Sequence, residues 1–189
     1  MKSYVNLAAV RLCTQAEGPG KRFALWVQGC LQRCEGCCNQ QMQEIKPAHI
    51  VEVQDVIQLI KKAKTDFAIE GVSFIGGEPL LQAEGLSQIA AWCHEDGLSV
   101  LVFTGFLYET LAESTDPNVK CLLQNTDILV DGLFEKTQLD TERDWIGSKN
   151  QRCVFLSDRY KAGVEYEKYE RSMEILVSEN EIMSNGWPF

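Results

Sequence analysis

Three cysteines on one short stretch, Cys30-x3-Cys34-x2-Cys37, constrain this chain more than any other feature. Soft thiolate sulfur suits zinc or an iron–sulfur cluster. A closed zinc site wants four ligands, usually as two separated CxxC-type pairs, and no second pair is present. Cys38 follows Cys37 directly. Side chains of adjacent residues rarely point at one metal, so Cys38 is expected to lie outside the ligand set. Three thiolates can instead hold three irons of a four-iron cluster and leave one iron open, the arrangement of a site that does chemistry. Spacing alone still admits a zinc site or a chance grouping. The remaining cysteines, Cys13, Cys93, Cys121 and Cys153, are scattered singly, unlike the framework of a small disulfide-bonded scaffold.

The surrounding pattern is one of alternating strands and helices. Residues 22–28 are apolar and aromatic and end at glycine, which predicts a buried strand with the cysteine loop leaving its end. Val53, Val56, Ile57 and Ile60 recur at helical spacing, as do Leu86, Ile89, Ala90 and Cys93, and Gly97 stops the second helix. Residues 72–75, 98–103, 128–130 and 153–156 read as further strands, and 4–13 as a possible first one. Asp116-Pro117 has the form of an N-cap followed by proline at the first helical position.

Such alternation implies parallel strands with right-handed crossovers, and in these folds sites lie on loops at the C-terminal strand ends. The cysteine loop, Gly76-Gly77-Glu78-Pro79, Thr104-Gly105 and Asp131-Gly132 all fall at such ends. The expected fold is α/β, a partial open (β/α) barrel of about five to six parallel strands with a C-terminal β-hairpin appendage. Residues 173–177 and 181–183, flanking Ser178-Glu179-Asn180, form that hairpin. The expected division is a core domain over 1–156 and a C-terminal extension over 157–189 packed on it.

A formal net charge of −9 disfavours nucleic acid or an anionic membrane as the main partner. The apolar runs are too short to span a bilayer, and the first residues lack a signal-peptide stretch, so a cytoplasmic location is expected. His49 and His94 are lone histidines with no assigned role. Cys93 and Cys153 read as small core residues.

The cysteine spacing, followed by Gly76-Gly77-Glu78-Pro79 on the next core strand, resembles the radical S-adenosylmethionine superfamily. Gly18-Pro19-Gly20-Lys21-Arg22, then Gly29-Cys30 through Cys37-Cys38-Asn39, is similar to the glycyl-radical-enzyme activating proteins. Phe103-Thr104-Gly105-Phe106, Val130-Asp131-Gly132 and Gly147-Ser148-Lys149-Asn150-Gln151-Arg152 resemble the activators of anaerobic ribonucleoside-triphosphate reductase. The resemblance runs over residues 5–156.

It implies a [4Fe–4S] cluster on Cys30, Cys34 and Cys37 and a cofactor, S-adenosylmethionine, bound through the open iron. Reductive cleavage would give a 5′-deoxyadenosyl radical that takes hydrogen from a partner's glycine. Asn39, Gly76, Gly77, Glu78, Pro79, Thr104 and Asp131 are the implied cofactor-binding residues, with Glu78 alternatively fixing the turn. Lys149, Asn150 and Arg152 either shape the site or contact the partner, or form a solvated loop. Phe106 is a candidate surface for adenine. The implied partners are a glycyl radical enzyme, the large subunit of anaerobic ribonucleotide reductase, and a reductant such as flavodoxin or ferredoxin. The alternatives are another glycyl radical enzyme, a peptide or a small molecule as substrate, or a non-catalytic iron–sulfur or zinc module.

Overall fold

The computed structural model describes residues 2–167, 173–177 and 182–186. Seven strands form one sheet in the order β3-β1-β2-β4-β5-β6-β7: β1 Tyr4–Thr14, β2 Arg22–Val27, β3 His49–Glu52, β4 Gly71–Gly76, β5 Ser99–Phe103, β6 Ile128–Asp131 and β7 Arg152–Phe155. Helices α1 Val53–Phe67, α2 Ala83–Glu95, α3 Tyr108–Ala112 and α4 Pro117–Gln124 connect them. The expected helix faces are the buried ones: Val53, Val56, Ile57, Ile60 and Ala63 on α1, and Leu86, Ile89, Ala90 and Cys93 on α2. Asp116 caps α4, accepting from the Asn118 N–H at 2.8 Å, with Pro117 next to it.

The sheet is mixed, and this corrects the expected five to six parallel strands. Among the described residues, parallel pairing joins β2, β4, β5 and β6 alone. Strand β1 pairs antiparallel with β2 and β3, and β7 pairs antiparallel with β6. A parallel return needs a crossover, usually a helix. The link between β1 and β2 is a short loop. The link from β6 to β7, residues 132–151, contains no α-helix. Both strands therefore fold back along their neighbours. Strand β3 went unread because its apolar pair, Ile50 and Val51, runs straight into α1.

Side chains alternate across the sheet as a strand's period of two requires. On β2, Phe23, Leu25 and Val27 join Phe74, Val100, Val102 and the helices in the main core. Ala24 and Trp26 face the other way, with Ile75 and Phe103, toward a cavity. At the opposite end from the rim, Arg22 is fully buried. Its guanidinium donates to Ser73 Oγ at 2.7 Å, the Val72 carbonyl at 2.6 Å, and the Pro19 carbonyl and Ser99 Oγ at 3.0 Å each. The Gly18–Arg22 segment thus ties the starts of β2, β4 and β5 together.

The expected hairpin is present: β8 Glu174–Val177 pairs antiparallel with β9 Ile182–Asn185. The turn residues 178–181 and the last residues, 187–189, lie outside the described residues. Among the described residues, no helix is long and apolar enough to cross a membrane.

Candidate cluster and cofactor site

The loop leaving β2 is pinned before its cysteines begin. Gly29 N–H donates to the Met42 carbonyl at 2.8 Å, Cys30 N–H to the Gln43 carbonyl at 3.0 Å, and Glu78 N–H to the Gly29 carbonyl at 2.8 Å. The last contact explains a glycine. A Cβ on Gly77 would sit 2.2 Å from the Gly29 carbonyl oxygen, so the end of β4 can lie against the cysteine loop only without a side chain there. Gly76, at φ +106, is packed just as closely on the Val27 backbone. These glycines serve the joint between strand and loop.

Cys30, Cys34, Cys37 and Cys38 all line one cavity of about 650 Å³ on the sheet face away from the core. None is in a disulfide. Cys30 Sγ accepts from the Gln32 N–H and Cys37 Sγ from the Asn39 N–H, both at 3.4 Å. Burial pushes the Cys30 and Cys34 thiols up, countered at Cys34 by the Phe134 amide. A hydrogen bond from the Cys38 thiol brings Cys37 down to about 6, and the same contact pushes Cys38 up. Sequence reasoning left Cys38 out of the ligand set. The structure sets its thiol beside that of Cys37 on the cavity wall.

The other expected residues divide into two groups. Asn39, Gly76, Gly77, Glu78 and Thr104 line the cavity with the cysteines. Asn39 Nδ2 donates to the Gly76 carbonyl at 3.4 Å, joining the loop's far side to β4. Glu78 is buried. Its Oε1 accepts from the Leu80 N–H at 3.0 Å and the Thr104 hydroxyl at 2.8 Å, and its Oε2 from the Gly105 N–H at 2.9 Å. Thr104 Oγ1 also accepts from the Phe106 N–H at 3.1 Å. Glu78 and Thr104 therefore staple the ends of β4 and β5. Burial pushes the Glu78 carboxyl above its ordinary range, while these three donors hold it down.

Pro79 and Asp131 stand outside the cavity lining. Pro79 opens a 3-10 turn over Pro79–Gln82. Asp131 is fully buried; it accepts from the Tyr108 N–H at 2.7 Å and from the Arg152 guanidinium at both oxygens, Nε at 2.9 Å. Arg152 continues to Glu109 at 2.8 Å. Phe106 packs on the core and leaves the aromatic part of the cavity wall to Trp26, Phe103, Phe134 and Trp145. Phe103 and Trp145 meet edge to face, centroids 6.4 Å apart.

The Gly147–Arg152 segment shapes the wall. Gln151 Oε1 accepts from the Gly147 N–H at 3.1 Å and the Ser148 N–H at 3.0 Å, and Gln151 Nε2 donates to the Gly132 carbonyl at 3.3 Å. Arg143, paired with Asp140 at 2.7 Å, donates to the Gln151 carbonyl at 2.8 Å. Sequence reasoning missed Arg143, whose partners lie several residues along an irregular loop with no periodic signal.

Residues 16–154 match the family model described as a 4Fe-4S single cluster domain. The chain belongs to this family. It is 33% identical to an anaerobic ribonucleoside-triphosphate reductase-activating protein of Vibrio cholerae, over 71% of this chain and 87% of that one. It is 29% identical to the protein of that name in Enterobacteria phage T4, over 78% of this chain and 92% of the other. Identity to the pyruvate formate-lyase 1-activating enzyme of Escherichia coli K12 is 27%, over 93% of this chain and 66% of that enzyme.

The donor set fits the single-cluster family. Cys30, Cys34 and Cys37 leave one loop as unoxidised thiols and line the same cavity. Soft thiolate sulfur is the ligand type an iron–sulfur cluster takes. Cys30, Cys34 and Cys37 would hold such a cluster, and the glycine-edged rim leaves room beside it.

Proposed function

We propose that this single-cluster protein cleaves S-adenosylmethionine reductively at a [4Fe–4S] cluster on Cys30, Cys34 and Cys37, and installs a glycyl radical on a partner enzyme, the large subunit of anaerobic ribonucleotide reductase. One observation carries this reading: three thiols from a single loop and the rim Gly76, Gly77, Glu78 and Thr104 line the same cavity. Together the cluster and S-adenosylmethionine supply one-electron reductive cleavage, which no side chain can supply. The protein's share is orientation and exclusion of water. Gly76, Gly77 and Asn39 offer close backbone and amide contact, Glu78 and Thr104 tie the rim together, and Trp26, Phe103, Phe134 and Trp145 give the cavity an apolar side. Pro79 and Asp131 support the rim from behind it.

The same reading takes 1–156 as a core with the shape of a partial barrel and 157–189 as an extension packed on it. Tyr160, within 3.4 Å of Arg22 and 2.8 Å of Ser99, supports that packing. A flavodoxin or ferredoxin would supply the electron in the cytoplasm. The similarity to a pyruvate formate-lyase activating enzyme, which covers more of this chain than the reductase activators do, favours a second reading in which the partner is another glycyl radical enzyme.

The test uses anaerobically reconstituted protein with dithionite and S-adenosylmethionine. Cluster-dependent release of 5′-deoxyadenosine, abolished in a Cys30/Cys34/Cys37→Ala variant, is expected. Tightly bound zinc without a cluster refutes the reading. Glycyl-radical formation on reductase or on formate-lyase separates the two partners.

A further inference from the structure

The cavity is closed on one side by the tail: Ser184 and Gly186 line it together with Arg11, Ala16 and Glu17. On the first strand of the hairpin, the apolar side chains of Ile175, Leu176 and Val177 are 57%, 52% and 69% exposed, so they do not seat the tail. It is seated by polar contacts around one side chain. Asn185 is buried, and its Nδ2 donates to Thr14 Oγ1 at 3.0 Å and Glu174 Oε2 at 3.3 Å, while its Oδ1 accepts from Arg11 Nε at 3.0 Å. Two backbone amides complete the join: Gly186 N–H to Glu17 Oε1 at 2.8 Å and Gln15 N–H to Glu174 Oε1 at 3.0 Å.

We propose that Asn185 is a positioning residue that latches the C-terminal hairpin as a solvent-excluding wall of the cluster cavity. The inference rests on the reading that this cavity holds the cluster. A wall held by hydrogen bonds at its foot suits such a site. It keeps water and oxygen from the reacting centre, and it can be lifted without disturbing the apolar core, which lies on the other face of the sheet. The segment's sequence gives no hint of this, because two partners of Asn185, Arg11 and Thr14, lie on β1, far away in the chain.

The experiment compares full-length reconstituted protein with Asn185→Ala, reading hydrogen exchange at single amides and loss of cluster absorbance in air. Gln15 and Gly186 report the latch, and the β4 amides report the core. In Asn185→Ala the two latch amides are expected to exchange about tenfold faster with β4 unchanged. The cluster should bleach several-fold faster. Thr14→Val, which removes one partner of Asn185 Nδ2 and leaves those to Glu174 and Arg11, should fall between and guards against a variant that does not fold. Latch amides equally protected in all three proteins overturn the proposal. So do freed amides with an unchanged bleaching rate, since the hairpin would then be no wall. A protein that binds no cluster sinks the proposed function and leaves the exchange comparison standing.

Discussion

Replacing Thr104 with valine removes a single hydroxyl from the rim and keeps the shape of the side chain. In the structure that hydroxyl donates to Glu78 Oε1 at 2.8 Å and accepts from the Phe106 N–H at 3.1 Å, in a residue only 5% exposed. A hydrogen bond to a charged group contributes ~1.5–3 kcal/mol, and a buried N–H left without its acceptor costs ~1–3 kcal/mol. The added methyl returns about 1 kcal/mol of apolar burial. The net loss is about 1.5–5 kcal/mol, which moves a urea midpoint by roughly 0.5–2.5 M at a slope of about 2–3 kcal/mol/M.

The loss also depends on pH. Burial already holds the Glu78 carboxyl above its ordinary value of 4.5, and the Thr104 donor is one of the groups pulling it back. Without that donor the folded-state value rises further. A raised carboxyl contributes stability that is full below its unfolded value and is lost as the pH climbs through the folded one. Thr104→Val should therefore cost more at pH 7 to 8 than at pH 4, and Thr104→Ser should restore most of both. An unchanged midpoint, with affinity for S-adenosylmethionine lost, would refute the staple and make Thr104 a direct ligand.

Glu17 titrates in the same sense: burial raises it from 4.5 to about 7 against the pull of the Gly186 amide, Asn185 and Arg11, with Glu174 adding to the rise. Stability from this group should be full below 4.5 and fall by on the order of 1–3 kcal/mol as the pH passes 7, and Glu17→Gln should flatten that slope in urea melts. Parallel profiles for the two proteins would count against it. Cys38→Ala should retain a full complement of iron and sulfide after reconstitution while Cys37→Ala does not. Iron lost from Cys38→Ala would make Cys38 a ligand.

The sequence by itself determined the chemistry and most of the elements that carry it. Cys30, Cys34 and Cys37 on one loop, the helix faces of α1 and α2, the Asp116 cap and the strands ending in Gly76 and Phe103 are local patterns. Spacing along the chain suffices to read them, because helix and strand periods act over a few residues. Tertiary structure decided what depends on partners far away in the chain. It turned β1 and β7 antiparallel, where no helix was available to carry the chain back. It engaged Asp131 with Arg152, bound Glu78 to Thr104, and sent Phe106 to the core while Trp145 came to the cavity. It also brought Asn185 to Thr14. Each of these is a choice among hydrogen-bond or packing partners that local sequence leaves open. Burial settles it, because a polar group removed from water must find a partner wherever the fold supplies one.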